Sequence, residues 1–240
     1  MAGLLFILAH PDDETFFAGT IAKYVATGTS VGLICATRGE RGATADLCSI
    51  EELPHVREAE LREAARILGI SSLEFLPYED QKLWSAPVDE IRRQLVAIIR
   101  RQRPEIIITF DPEGANRHTD HISISHFTTD AVAAAADARW YPETGAPHVP
   151  RGVLWTAPLP PFKLGLTKNV AQQPGIDILI DVGPFRETKE AALRAHRTQF
   201  PGLSKIFNSA ASLRWEAFRV GWGSRPEVVP AQDLFGWQVE

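Results

Sequence analysis

Short apolar runs alternate with amphipathic stretches along the first half of this 240-residue chain. Residues 4–9 (LLFILA) read as a buried strand, and residues 15–26 as a helix that stops near Gly28. Residues 30–36 are the next expected strand, and a long polar loop with glycines and charges covers 37–53. Pro54 suits the first turn and Gly69 the stop of a helix over 54–68. A strand is expected at 73–76, a helix at 88–101 behind Pro87, and a β-branched strand at 105–110. This β-α-β-α order implies a largely parallel sheet with helices on both faces, a three-layer α/β arrangement.

The second half is less regular. A helix is expected over 120–137, a loop rich in Pro and Gly over 140–150, and strands at 153–156 and 176–181. Pro158, Pro160 and Pro161 place a loop between those two strands, and 187–198 reads as a helix. Trp215, Phe218 and Trp222 stand at helical spacing, which favours a packed helix face. No repeat, low-complexity tract or interdomain linker interrupts the pattern, so a single domain over 1–240 is expected.

Composition narrows the function classes. A formal net charge of −5 leaves no basic footprint for nucleic acid. No segment approaches the ~20 apolar residues that span a bilayer, and the run 4–9 lacks the basic lead of a signal peptide. A cytoplasmic protein without nucleic-acid or membrane partners is therefore expected. Two cysteines, Cys35 and Cys48, support neither a disulfide scaffold nor a four-thiolate zinc site.

Two segments carry candidate chemistry. The first is Ala9-His10-Pro11-Asp12-Asp13-Glu14, between the first strand and the first helix. Ligands of doubly wound sheets bind outside the carboxyl ends of strands, so the location suits a site. Pro and Asp also make turns, and an acid favours a helix start. A turn, however, does not require a histidine beside three acids, whose mutual repulsion a cation would offset. The second segment is His118-Thr119-Asp120-His121, beyond the 105–110 strand and opening the next helix. Positions three apart share a helix face, so His118 and His121 can point into one site. A polar helix start capped by Thr119 or Asp120 is the plain alternative. Two histidine-bearing segments at two strand ends favour a metal site.

These residues, together with Thr37-Arg38-Gly39-Glu40-Arg41-Gly42, Arg57-x-x-Glu60-Leu61-x-x-Ala64, Asp111-Pro112-x-Gly114 and Lys189-x-x-Ala192-Leu193-x-Ala195-His196-x-x-Gln199, resemble the LmbE-like, or PIG-L-like, N-acetylglucosaminyl deacetylases. The blocks run in that family's order over residues 4–199. The resemblance implies a Rossmann-like fold, bound zinc, and hydrolysis of N-acetyl groups on glucosamine conjugates, with a small amino-sugar substrate and a homo-oligomer as expected partners. It makes His10, Asp13 and His121 the zinc ligands and Asp12 the general base. It makes His118 the oxyanion stabiliser, Asp120 the partner of a site histidine, and Arg57 a substrate-binding residue. Arg38 lies in a loop beside the expected site and joins Arg57 as a candidate for an anionic aglycone. His196 falls near the site in the family pattern. The chain departs from that pattern at Thr119, where proline is usual, and at Arg117, where glycine is common.

Two His and one Asp leave a coordination position open, as in catalytic zinc sites, although Fe²⁺ accepts the same donors. Three rivals remain. A non-haem iron oxygenase shares the donor set but usually has a double-stranded β-helix. A nucleotide-binding module would need a G-x-G-x-x-G turn, which the first β-α junction lacks. A non-catalytic sugar-binding relative would not need Asp12. Recognition of the group attached to the sugar is expected from the irregular stretches 37–53 and 140–168.

Overall fold

The computed structural model describes residues 3–157, 175–208 and 210–236. The proline-rich loop around Pro158, Pro160 and Pro161, and residues 158–168 of the expected recognition stretch, lie outside the described residues.

Seven strands form one mixed sheet in the order β3-β2-β1-β4-β5-β7-β6. The strands are β1 (Leu4–Leu8), β2 (Val31–Cys35), β3 (Ser72–Phe75), β4 (Ile106–Thr109), β5 (Gly152–Thr156), β6 (Ile178–Asp181) and β7 (Trp215–Trp222). The first five are parallel, and β7 runs antiparallel to both β5 and β6. Every residue of β1, β2 and β4 is buried. That burial on both faces explains why they read as unbroken apolar runs, not alternating ones.

Helices cover the sheet in two groups. α1 (Ala18–Ala26), α2 (Leu53–Leu68) and α6 (Arg186–Ala195) pack on one another, and α3 (Val88–Gln102) packs on α5 (Thr119–Ala135). α2 has Pro54 in its first turn and Gly69 in the left-handed conformation that ends it, as its sequence predicts. A 3-10 turn at Asp13–Phe17 precedes α1, and a four-residue turn, α4 (Gly114–Arg117), precedes α5. α7 (Phe200–Ile206) and α8 (Ala210–Arg214) follow α6. Among the described residues, no helix is long and apolar enough to cross a membrane.

The helix expected around Trp215, Phe218 and Trp222 is instead the eight-residue strand β7. Glu216, Ala217 and Phe218 are all buried, because β7 lies inside the sheet between β5 and β6. Its Glu216 carboxylate accepts the N–H groups of Gly19 and Thr20 at the start of α1, at 2.9 and 2.8 Å. It also receives the buried Lys189 ammonium at 2.8 Å. One carboxylate thus ties β7, α1 and α6 together.

The sheet order reverses between β1 and β4: the chain from β1 runs outward through β2 and β3, whereas β4 continues the other way to β5. The crevice at the carboxyl ends of those two strands is where doubly wound folds bind ligands. Both histidine-bearing segments open there, 10–14 after β1 and 111–121 after β4.

Candidate functional site

The turn after β1 is built by Asp13. Its Oδ2 accepts the backbone N–H groups of Ala9 at 3.0 Å and His10 at 2.8 Å. Its Oδ1 is left facing His121 Nε2 at 3.1 Å. The turn-forming and ligand readings of Asp13 therefore describe two oxygens of one carboxylate.

His121 is aimed by Phe110 and Gly114. Its ring stacks on Phe110 at the end of β4, with centroids 3.9 Å apart and planes 3° from parallel. Its Nδ1 lies 3.2 Å from the carbonyl of Gly114, so donation there leaves Nε2 as an electron-pair donor. Gly114 has φ 68, and a Cβ would come within 2.9 Å of the Ile122 nitrogen and 3.0 Å of His121 Cβ. A side chain at 114 would push His121 out of place.

His10 is held from its other nitrogen. Its Nε2 lies 3.1 Å from Asp120 Oδ2 and 3.1 Å from Asp80 Oδ1. Its Nδ1 faces His121 Nε2 at 3.3 Å and Asp13 Oδ2 at 3.6 Å. Asp13 meets both rings, with Oδ1 3.1 Å from His121 Nε2 and Oδ2 3.6 Å from His10 Nδ1, and the facing ring nitrogens are 3.3 Å apart, near the edge of about 3.3–3.6 Å in a tetrahedron with zinc bonds of about 2.0–2.2 Å. Each histidine gives its second nitrogen to a carboxylate or carbonyl, the support that metal-binding imidazoles usually have. These donor types and contacts are compatible with a small divalent cation, for which His10, Asp13 and His121 are one candidate set. His10, His118 and His121 also converge closely enough to offer an alternative donor set, as do His10, Asp80 and Asp120. The latter acids already engage the Nε2 side of His10, which makes supporting that ring their better use.

The electrostatics call for positive charge. Burial disfavours a His10 imidazolium, yet hydrogen bonds with Asp120, Asp13 and Asp80 hold its pKa well above the usual imidazole value. Burial would raise Asp13, but the charges and hydrogen bonds of His121 and His10 hold it well below the carboxylate range. Asp80 is likewise opposed by burial but drawn to about 2, chiefly by its hydrogen bond with His10. Buried carboxylates gathered round one imidazole make surroundings that suit a cation.

Asp12 differs from Asp13. Burial pushes its pKa up to about 6, against the pull of Arg57 and with the repulsion of Asp13. Its side chain keeps about a fifth of its exposure. It occupies an uncommon backbone conformation for a non-glycine residue, φ 107 and ψ −19.

His118 is half-buried, with its ring 4.7 Å from that of His10. Its Nδ1 accepts the backbone N–H of Asp120 at 3.2 Å. Burial, and the charges of His10 and His121, lower its pKa. His118 therefore presents Nε2–H as a neutral donor near neutral pH. The site histidine that the Asp120 carboxylate meets is His10; His118 accepts only the Asp120 backbone N–H. That carboxylate lies on His10 and accepts the N–H groups of Gln81 and Leu83.

Arg57 packs against the turn after β1, whereas Arg38 stays partly exposed on its loop. Arg57 is 3% exposed. Its Nη1 donates to the Gly39 carbonyl at 2.7 Å, and its Nη2 donates to the Pro11 carbonyl and lies 3.2 Å from Asp12 Oδ1. Gly39 has φ 62, and a Cβ there would fall 2.0 Å from Arg57 Nη1. The glycine lets the loop close over the guanidinium. Arg38 pairs with Glu58 at 2.7 Å and lies over Phe75, so the structure does not bring it to the metal donors. His196 caps the end of α6, is fully buried and meets Glu14 Oε1 at 2.5 Å.

Asp80 escapes the sequence reading. Besides His10, it accepts the N–H of Arg41 at 3.0 Å, and its own N–H donates to Glu40 at 2.7 Å. The available signal was its position just beyond β3, a third strand end beside the same crevice.

Comparison with known proteins gives the chain its relatives. A family model described as PIG-L, GlcNAc-PI de-N-acetylase, matches residues 5–132. The chain is 33% identical over 241 residues to the 1D-myo-inositol 2-acetamido-2-deoxy-α-D-glucopyranoside deacetylase of Streptomyces avermitilis, covering 82% of each chain. A conserved protein of Thermus thermophilus superposes with TM-score 0.73 at 27% identity, over 93% of this chain and 96% of that one. The fold also matches the 4-carboxy-2-hydroxymuconate hydratase GalB of Pseudomonas putida, with TM-score 0.65 at 22% identity, over 95% of this chain and all of that one.

Proposed function

Because the chain belongs to the PIG-L family, also described as LmbE-like, we propose that it is a zinc-dependent hydrolase of the N-acetyl group on an N-acetylglucosamine conjugate. The observation that carries the proposal is the convergence of His10 Nδ1, Asp13 and His121 Nε2 at 3.1–3.6 Å beside the ionisable Asp12. The fold alone also accommodates a hydratase, so the substrate class comes from the amino-sugar deacetylases among the relatives.

His10, Asp13 and His121 would hold the metal. Bound zinc supplies Lewis acidity toward the amide carbonyl and toward water. Asp12 removes a proton from the attacking water and returns it to the departing amine, a poor leaving group until protonated. A pKa near 6 suits both transfers close to neutrality. His118 contributes the Nε2–H donor to charge developing on the carbonyl oxygen, a contact commonly worth ~10²–10³ in rate. Arg57 shapes the turn and lowers the cost of ionising Asp12. Asp120 and Asp80 hold the His10 ring.

The test is acetate release from GlcNAc–inositol by zinc-loaded, chelator-stripped and Asp12→Asn protein. The loaded wild type should turn over, the stripped protein should not, and Asp12→Asn should bind zinc yet lose roughly 10²–10⁴ in turnover. An Asp12→Asn rate within a few-fold of wild type would end the assignment of Asp12.

A further inference from the structure

The residue given the proton transfers sits on a backbone that it would not choose alone. Asp12 has φ 107, where a Cβ is crowded, and ψ −19 takes it away from the usual left-handed well. Such a conformation persists only where its surroundings over-determine it. Here both peptide units that flank Asp12 are pinned. In the preceding unit, the Pro11 carbonyl receives Arg57 Nη2, and the Asp12 N–H donates to Glu14 Oε2 at 3.1 Å. In the following unit, the Asp12 carbonyl accepts Thr15 N–H at 3.0 Å and Thr15 Oγ1 at 2.6 Å.

The Glu14 contact differs from the others because a remote element fixes it. A glutamate two residues away has several rotamers and would hold its neighbour's N–H loosely. The second oxygen of Glu14 is gripped by His196 Nε2 at 2.5 Å, from the end of α6. Both side chains are fully buried. Neither approaches the metal donors in any contact described above, and a proton-transfer mechanism built on Asp12 and His118 does not use them.

We propose that Glu14 and His196 are positioning residues that lock the Asp12 backbone at positive φ and so aim its carboxylate. The inference rests on the reading of Asp12 as the proton-transfer group. Release of the N–H would let the 11–12 peptide turn and the carboxylate swing, and displacement of a reacting group by about an ångström can cost roughly 10²-fold in rate. The zinc ligands are held by other contacts and would stay. Glu14→Gln keeps a carbonyl acceptor for the Asp12 N–H and an amide donor for a neutral His196.

Crystal structures of zinc-loaded Glu14→Ala, Glu14→Gln and His196→Ala give the direct readout. In the alanine variants Asp12 should leave φ 107 for a negative value, whereas in Glu14→Gln it should stay. Retention of the positive φ in Glu14→Ala overturns the proposal. Kinetics on GlcNAc–inositol supply the second readout. Glu14→Ala should lower kcat by roughly 10²-fold with KM within about threefold and one metal per chain, and Glu14→Gln should recover to within about tenfold of wild type. Added to Asp12→Asn, Glu14→Ala should cost less than about threefold more, because it acts through a group already removed. An equal loss in both backgrounds means a general structural role and overturns the idea. If the wild type releases no acetate, the proposed function fails, while the Asp12 conformation in the variants still decides this inference.

Discussion

Removal of the Arg57 guanidinium should both unfold the protein more easily and shift its activity along the pH axis. The side chain is buried and makes charge-assisted contacts to two carbonyls, Pro11 and Gly39, and to the Asp12 carboxylate. Arg57→Ala leaves both carbonyls without that donor, at about 1–3 kcal/mol for each buried acceptor left unpaired. Breaking a buried ion pair by deleting one member costs about 3–5 kcal/mol, a figure that overlaps the first. The expected loss is therefore about 3–5 kcal/mol out of the 5–15 kcal/mol typical of a folded domain, so the variant should fold but denature at lower urea. Arg57 also opposes the burial that raises Asp12 to about 6. Without it, Asp12 should hold its proton to higher pH, and the acid limb of kcat/KM should rise by about one pH unit or more. Arg57→Lys should recover part of each effect, because one ammonium cannot span the contacts of a fork. Urea unfolding and a pH profile on GlcNAc–inositol check the two effects. A cost below about 1 kcal/mol with the acid limb in place would refute the reasoning.

Three further outcomes follow from the same contacts. In the wild type, kcat/KM should fall as pH drops through about 6, because Asp12 must be ionised to accept a proton; a flat profile from pH 5 to 8 would exclude Asp12 as the base. Asp120→Ala should weaken zinc about 10–100-fold in competition with a chelator, because it removes the carboxylate on His10 Nε2; an unchanged Kd would show that Asp80 alone orients that ring. Glu216→Ala should cost about 3–5 kcal/mol in denaturant unfolding by leaving buried Lys189 without its carboxylate, and a loss below 1 kcal/mol would mean that the ammonium finds another partner.

The parallel half of the fold was legible because burial on both faces turns β1, β2 and β4 into apolar runs bounded by turn residues. The proposed metal donors were legible as a cluster because histidine and acid stand together at two strand ends. β7 was not, for a related reason: inside the sheet it loses the alternation of a half-exposed strand, and its aromatic residues happen to repeat at helical intervals. Asp80 was missed because its partner, His10, is 70 positions away and a place just beyond β3 is a weak local signal. The burial of Arg57 was not legible, because a sequence shows charge without depth and the close approach of Gly39 appears only in the fold. The turn of Asp120 toward His10 likewise depends on the path of residues 81–83, whose N–H groups fix the carboxylate.

The placement of β7 between β5 and β6 sets an order on synthesis. A chain emerging from its N-terminus has all three metal donors by His121 and the parallel strands by Thr156. Its sheet nevertheless ends at β5, because among the described residues β6 pairs only with β7 within the sheet. The roughly 60–70 residues from β5 to the end of β7 take several seconds to add at about 5–20 residues per second. During that interval, the unpaired edge of β5 invites pairing with another nascent chain. The proposed metal donors are therefore complete well before the strand that seals the sheet, and a cation captured there at that stage would steady the open half while its edge remains exposed.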